Sequence, residues 1–194
     1  MNSEYLTQLK KIILPAFNDT LYMVFFSSLF AIIFGIIIGI TLYVTEKNNI
    51  LENKFINNIL GIIINIGRSI PFVILMIAVF PLSKFIVGTT LGSKSAIVPL
   101  TVAAIPFVAR MIETCLKEID KGVIEASISM GANEWQIIYK VLIPESISSI
   151  ISTITTTIIS IIGYSAMAGT IGGGGLGSIA ITYGYHNVIE TTYL

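Results

Sequence analysis

Three glycines near the carboxyl end of the chain have the spacing of a nucleotide-binding loop. Gly172, Gly174 and Gly177 form the pattern G-x-G-x-x-G, which in dinucleotide-binding proteins follows a strand, opens a helix and brings the backbone close to a pyrophosphate. Here the pattern follows an uncharged segment of helix length, and no acidic residue stands about twenty positions downstream, where a ribose would require one. The sequence therefore argues against a nucleotide site at these glycines.

The other residues that carry chemistry in proteins are too few to form a catalytic or metal site. The stretch GTTLGSKS at residues 88–95 lacks the glycine that a phosphate loop needs before its lysine, because Ser93 stands there. Catalytic sites need several convergent side chains, yet the chain contains a single histidine, His186, and a single cysteine, Cys115. We therefore expect no enzymatic activity, no metal and no cofactor. The zero net charge gives no reason to expect nucleic-acid binding.

The composition of the chain is that of a membrane protein. Of its 194 residues, 54% are apolar and only 11% are charged, whereas charged residues make up about 25% of an ordinary soluble domain. A helix needs roughly 20 apolar residues to cross a bilayer. We predict an all-α polytopic membrane protein whose spanning helices lie at about residues 20–44, 56–82, 95–118 and 146–168.

Small residues and prolines within the predicted spans favour closely packed and bent helices. Gly35 and Gly39 form a G-x-x-x-G pattern, which permits close helix approach; packing inside one protomer is favoured over a seam between two copies. Pro71, Pro99 and Pro106 lie within the second and third spans, where neighbouring helices can satisfy the carbonyl groups that a proline leaves free.

Three charged residues fall within or beside the apolar segments. Arg68 is the one charge in the second span, and a charge at such a depth is costly in lipid and indicates a function or a position near the membrane boundary. Arg110 and Glu113 are spaced i, i+3 and are predicted to pair on one helix face. We treat these three as candidate intramembrane or interface charges, with a structural role favoured.

Residues 121–145 form the most polar segment of the second half of the chain. Gly131 can adopt the left-handed conformation that closes a helix, and Asn133 with Gln136 predicts a capping box for a second helix. That helix is expected to end before Pro144. The segment is therefore predicted to form two short helices at the membrane face. They are either an interfacial element or a docking surface for a partner, and the small number of lysines favours docking.

This segment resembles the EAA loop of ABC importer permeases. The positions that carry the resemblance are Glu125, Ala126, Ser127, Gly131, Ala132 and Pro144. The family usually has alanine at the position of Ser127 and leucine at the position of Ile143. The resemblance runs from about Asp19 to about Tyr185, and the stretch GYSAMAGTIGGGGLG is the part most similar to methionine importer permeases.

The resemblance implies a single type I ABC importer transmembrane domain over residues 1–194, in the cytoplasmic membrane of a bacterium. The EAA loop would face the cytoplasm and insert into a groove of an ATPase subunit, which places the N-terminus outside. A second copy of the permease, a pair of ATPase subunits and an extracytoplasmic methionine-binding lipoprotein are the implied partners. Met167 is the implied gate residue, and a fifth helix is expected beyond a chain that looks truncated.

Several alternatives remain open from the residues alone. The chain would also fit a permease for another amino acid or small solute, because no residue in the predicted spans identifies methionine as the substrate. A passive channel and a membrane enzyme are less favoured alternative functions. The glycines at 172–175 fit either an irregular outer mouth of a permeation pathway or a plain turn.

Overall fold

The structure is a computed structural model that describes residues 3–186. The described residues contain helices and no strand. The helices are α1 (Ser3–Val44), α2 (Lys54–Ser69), α3 (Phe72–Val87), α4 (Ser93–Lys117), α5 (Lys121–Ser129), α6 (Glu134–Ile137), α7 (Ile143–Glu145), α8 (Ile147–Ala168) and α9 (Gly175–Ile179), with wider π-helical turns at Ile138–Leu142, Gly169–Gly173 and Ala180–His186. The predicted approach to a fifth spanning helix lies largely at 187–194, outside the described residues.

Three of the described helical segments are long and apolar enough to cross a membrane: Lys10–Val44, Ser93–Lys117 and Ile147–Gly173. The second and third of these begin and end close to the predicted boundaries. The first begins well before residue 20, because Lys10, Lys11 and Asp19 continue the helix without interrupting its backbone bonding. Hydropathy locates the apolar part of a helix, whereas its continuity depends on backbone hydrogen bonds.

The predicted span at 56–82 corresponds to two helices, α2 and α3, which together are long and apolar enough to cross a membrane. They are bent by 114° at the break between them, which is the kind of bend that Pro71 within the span favoured. Pro71 causes the break, since it has no N–H to continue α2 and it drives the preceding residue, Ile70, out of the helical region. Its own backbone is extended, with ψ of 136°, and α3 starts at the next residue.

The described chain divides into two compact units. One comprises residues 3–30, 70–103 and 158–186, and the other comprises Ala31–Ser69 and Ala104–Thr157. We call the first the glycine-loop unit, because it contains Gly172–Gly177, and the second the EAA unit, because it contains residues 121–145.

In the EAA unit, α1 and α4 approach each other closely at two glycines. A Cβ atom on Gly35 would lie 2.5 Å from Val108 Cβ, and one on Gly39 would lie 2.6 Å from the carbonyl oxygen of Ala109. Both separations are shorter than real carbon contacts, so only glycine fits there. The predicted G-x-x-x-G contact is therefore a packing contact inside one protomer.

The glycine-loop unit has its own apolar cluster. Met23, Met76 and Leu100 are fully buried in it, and the rings of Phe72 and Tyr164 stack with their centroids 4.7 Å apart. The ring pair joins the start of α3 to the end of α8. Aromatic stacking of this kind adds about 0.5–1.5 kcal/mol beyond the area that the rings bury.

Replacing Gly39 with alanine is expected to destabilise the protein by about 1–3 kcal/mol, because the new methyl group meets backbone and Ile112 atoms that cannot move aside. The matched control is Gly61→Ala in α2, where a Cβ atom meets nothing within 4 Å. Thermal unfolding of the detergent-solubilised protein measures both. Equal melting temperatures for the two variants would show that α1 and α4 do not pack at Gly39.

Candidate functional site

Helix α5 and the turn that ends it have well-defined hydrogen bonding. The Asp120 carboxylate accepts the Gly122 N–H at 2.7 Å and caps the start of the helix. At its end, Gly131 has φ of +83°, which confirms the predicted left-handed conformation. The Gly131 N–H donates to the Ile128 carbonyl and the Ala132 N–H donates to the Ser127 carbonyl. These two bonds form a complete Schellman motif, which turns the chain sharply towards α6.

The second short helix begins at the predicted capping box. The Asn133 side chain accepts the Gln136 N–H at 2.9 Å, and the Gln136 side chain accepts the Asn133 N–H at 3.0 Å. The predicted end before Pro144 is wrong. The backbone widens into a π-helical turn at Ile138–Leu142 and continues as α7 through the proline. Proline is tolerated in the first turn of a helix, where its missing N–H has no obligatory partner.

The segment from α5 to α7 is attached to the EAA unit by apolar side chains. Ile124, Ile137 and Leu142 are buried in a cluster that includes Leu116 of α4 and Tyr43 of α1. Each of these short elements is too small to be stable by itself. Their position therefore depends on the ends of the long helices α1 and α4.

The same segment also exposes large apolar residues. We call it the knob face and define it by Val123, Ile128, Met130, Trp135 and Tyr139. Met130 is 81% exposed and Trp135 is 64% exposed. The Trp135 and Tyr139 rings stack with centroids 6.3 Å apart. A rigid, exposed patch of aromatic and methionine side chains is typical of a protein interaction surface.

The residues that carry the EAA resemblance lie in and beside this face. Glu125, Ala126 and Pro144 are exposed, and Ala132 is half-buried. Ser127, which replaces the usual alanine, is buried and its hydroxyl donates to the Val123 carbonyl at 2.8 Å. The hydroxyl is thereby satisfied inside the helix, and the substitution needs no other accommodation.

Glu125 also lines a cavity of about 630 Å³ next to the turn that follows α1. The cavity has both acidic and basic groups on its walls, Glu46 and Lys47 from the turn and Lys121 from α5 among them. No cluster of metal-ligating residues occurs among residues 3–186. Because the turn and α5 each contribute both an acidic and a basic group, the cavity favours a polar partner surface over a ligand of one charge sign.

The candidate charges have different surroundings. The predicted pair forms, with Arg110 Nη1 2.6 Å from Glu113 Oε2. Glu113 is only 5% exposed. Arg68 is exposed, and its side chain has no ion pair or hydrogen bond within residues 3–186. The structure brings Arg110 and Glu113 together and leaves Arg68 apart from them.

Sequence reasoning missed three further members of this charge cluster. Lys117 Nζ lies 2.9 Å from Glu113 Oε1 and 2.9 Å from Glu46 Oε1, and Arg110 Nη2 donates to Asn65 Oδ1 at 2.8 Å. The i, i+4 spacing of Glu113 and Lys117 was a local signal for the first contact. The contacts to Glu46 and Asn65 join distant parts of the chain and have no such signal.

In the glycine-loop unit, the glycines follow α8 and form an irregular turn that packs against two other segments. The Gly92 N–H donates to the Gly172 carbonyl at 2.8 Å, and the Leu176 N–H donates to Thr20 Oγ1 at 2.9 Å. A Cβ atom on Gly175 would lie 2.6 Å from Thr20 Oγ1. The glycines thus permit close packing against α1 and the α3–α4 loop.

Met167 lies on α8 just before this turn and is 47% exposed. Its carbonyl accepts the Thr170 hydroxyl at 2.7 Å, so the backbone at this point is held in the helical conformation. The side chain is available for contact with a molecule outside the described chain. Its predicted role as a gate stays a prediction.

Comparison with protein families now identifies the class of protein. Residues 31–190 match the family described as binding-protein-dependent transport system inner membrane component. The chain belongs to this family.

Relatives of the chain match it over most of its length. The probable D-methionine transport system permease protein of Pasteurella multocida is 55% identical over 91% of the chain and 82% of the relative. The methionine import system permease protein of Bacillus subtilis is 49% identical over 91% of the chain and 80% of the relative. The chain also superposes on a solved structure of the MetNI methionine ABC transporter with a TM-score of 0.89 and 44% identity, covering 97% of the chain and 85% of that structure.

These findings confirm the predicted resemblance and the predicted fold class. The chain is an all-α, multi-pass membrane protein with the fold of a type I ABC importer permease. The glycine pattern accordingly follows a membrane helix and not a strand. This context is incompatible with a dinucleotide-binding βαβ unit.

Replacing Thr20 with valine is expected to loosen the glycine turn, because the Leu176 N–H loses its acceptor. A single hydrogen bond of this kind corresponds to about two- to tenfold faster amide exchange. Hydrogen–deuterium exchange over residues 170–180 measures the change. Thr41→Val is the matched control, since the only hydrogen bond of the Thr41 hydroxyl within residues 3–186 is the local one to the Ile37 carbonyl. Identical exchange in both variants would show that Thr20 does not hold the turn.

Proposed function

We propose that this inner-membrane component is the permease subunit of an ATP-driven importer of methionine. The observation that carries the proposal is the match to a solved methionine ABC transporter at 44% identity over 97% of the chain. Two relatives near 50% identity that are named for methionine or D-methionine transport support the same substrate. Another amino acid or small solute is the alternative substrate.

We also propose that the ATP is hydrolysed by a partner subunit that docks on the knob face. The support is physical: an exposed aromatic patch lies on a rigid segment that is anchored to α1 and α4. ATP drives import only if it binds the complex more tightly in one orientation of the substrate path than in the other. A docking surface fixed to the helices is what allows that difference to reach the membrane.

The proposed assembly pairs two copies of the permease with two ATPase subunits and an extracytoplasmic methionine-binding lipoprotein. It lies in the cytoplasmic membrane of a bacterium, with the knob face in the cytoplasm and the N-terminus outside. The family description, inner membrane component of a binding-protein-dependent system, supports both the membrane and the external binding protein. The orientation follows from the docking role, because ATP is available only on the cytoplasmic side.

Individual residues have proposed roles in this cycle. Glu125 and Ala126 contact the ATPase, and Ser127, Gly131, Ala132 and Pro144 hold the shape of the docking segment. Met167 acts as the gate of the substrate path. Its side chain is flexible, apolar and half exposed, which suits a plug that opens and reseals.

Methionine uptake is expected in proteoliposomes that contain the permease, its co-purified ATPase and the binding protein, only when ATP is enclosed on the ATPase side. Labelled methionine accumulation is measured with and without vanadate, and other unlabelled amino acids are added as competitors. Flux that vanadate leaves unchanged would indicate a passive channel. Stronger competition by another amino acid would indicate that methionine is not the preferred substrate.

Gly131→Val is expected to reduce co-purification of the ATPase and methionine uptake by about five- to thirtyfold. A β-branched residue at a φ of +83° costs about 1–2 kcal/mol, and the turn that shapes the knob face opens. Gly131→Asn is the matched control, because asparagine tolerates the left-handed region. The space around Gly131 is open to either side chain, since a Cβ atom there meets nothing within 4 Å. Full docking and uptake by the valine variant would contradict the role of the turn.

A further inference from the structure

Glu113 is a buried carboxylate with two cationic partners. It lies on α4 inside the EAA unit and is 5% exposed. One oxygen, Oε2, is 2.6 Å from Arg110 Nη1, and the other, Oε1, is 2.9 Å from Lys117 Nζ. A charge buried in this way is stable only while its partners remain in place. The three residues lie along one face of α4, at intervals of three and four residues.

The two cations extend the cluster to other elements. Lys117 Nζ also contacts Glu46 Oε1 at 2.9 Å, in the turn that follows α1. Arg110 Nη2 also donates to Asn65 Oδ1 at 2.8 Å, on α2. The chain of contacts Asn65–Arg110–Glu113–Lys117–Glu46 therefore joins α2, α4 and the turn after α1 within the EAA unit. We call it the charge chain.

The Glu46 end of the charge chain lies in a turn that side-chain hydrogen bonds hold in place. The turn that carries Glu46 is held by Asn49 Nδ2, which donates to the Tyr43 carbonyl at 2.8 Å. It is also held by Asn57 Nδ2, which donates from α2 to the Leu42 carbonyl at 2.7 Å. The cations thus meet groups whose positions are already defined, and a displacement at Lys117 changes the geometry of both neighbours.

The charge chain ends beside the docking segment. Lys117 is the last residue of α4, and only residues 118–120 separate it from α5. Those residues are constrained, since the Ile119 N–H donates to the Leu116 carbonyl and Asp120 caps α5. Movement of α5 therefore reaches Lys117 through a short, bonded link.

A purely stabilising role explains the arrangement poorly. The Lys117–Glu46 pair is 41% exposed on both sides, and exposed pairs contribute about 0–1 kcal/mol. Burying Glu113 carries a desolvation cost that apolar residues would avoid. The charges make the contact between helices depend on distance and direction. Hydrogen-bonded ion pairs break when helices shift by more than a short distance, whereas apolar side chains stay in contact as they slide past one another.

We propose that Glu113, Arg110 and Lys117 are positioning residues that couple displacement of the knob face to α2 and to the turn after α1. This inference rests on the proposed function, because it assumes that a partner ATPase moves the knob face. Glu113 is the centre of the device, since it alone contacts both cations. The charge chain holds the relative positions of three elements in one state of the transport cycle and is rearranged in the other.

The test compares variants in the reconstituted permease–ATPase complex with the binding protein present. Import of labelled methionine per ATP hydrolysed and the melting temperature of the complex are both measured. Glu113→Gln and Lys117→Met are expected to lower import per ATP by about two- to thirtyfold, the range typical of residues that carry coupling. Lys117→Arg retains the positive charge and is expected to keep import per ATP at the wild-type value. The matched control is Glu118→Gln, since Glu118 is an exposed acid next to Lys117 whose side chain has no ion pair or hydrogen bond among residues 3–186.

Wild-type import per ATP in the Lys117→Met variant overturns the inference. This variant also decides the test if Glu113→Gln fails to assemble. Lys117 is partly exposed, and its loss leaves Glu113 paired with Arg110. The double variant Arg110→Gln with Glu113→Gln removes the buried charge together with its partner. Low import per ATP in this double variant, with the melting temperature of the wild-type complex, supports positioning by charge. Wild-type values of both import per ATP and melting temperature in the double variant overturn it. Absence of methionine import by the wild-type complex is a different result, which contradicts the proposed function and the inference that rests on it.

Discussion

The apolar cluster at the end of α4 is the contact on which the rest of the EAA unit depends. Leu116 and Ile112 on α4 meet Ile124, Ile138 and Leu142 of the following segment, all of them buried. The elements on the segment side have nine residues or fewer and would not persist as helices in water. Because their stability comes from this cluster, the segment cannot move without moving α4. That dependence converts a surface loop into a rigid extension of a membrane helix.

Many hydroxyl groups in the apolar helices are hydrogen-bonded within the protein, although the buried hydroxyls of Ser95 and Thr101 on α4 have no partner among the described residues. In α8 the Thr155 hydroxyl donates to the Ile151 carbonyl at 3.0 Å, and the buried Thr157 hydroxyl donates to the Thr153 carbonyl at 2.7 Å. Such bonds to the preceding turn allow Ser and Thr to lie in lipid or in a dry interior. Charges lack this local solution. Glu113 instead requires Arg110 and Lys117, and these three residues of α4 therefore form a connected group.

Features that depend on a few neighbouring residues could be predicted from the sequence. The left-handed Gly131, the capping box of Asn133 and Gln136, and the Arg110–Glu113 pair are all confirmed. Each arises within one or two helical turns, where spacing determines contact.

The features that could not be predicted depend on tertiary context. Two prolines show the difference. Pro71 separates α2 from α3 at a bend of 114°, as a proline within the predicted span favoured, whereas Pro144, predicted to end its helix, is accommodated by a π-helical turn and leaves that helix continuous. Residue type is the same in both, so the outcome is decided by whether the surroundings can hold a widened backbone. The Asn65 and Glu46 contacts of the charge chain likewise require the packing of α2 and of the turn after α1, which no local pattern encodes.

The glycine pattern shows how one spacing can arise from two physical causes. In a dinucleotide site the glycines clear space for phosphate oxygens. Here the space that they clear is filled by protein: a Cβ atom on Gly172 would meet the Leu91 side chain, one on Gly175 would meet Thr20, and one on Gly177 would collide with the backbone of Ala166. Three of the glycines, Gly172 among them, also have positive φ. Close backbone packing and a sharp turn together account for the run of glycines, and no bound nucleotide is needed to explain it.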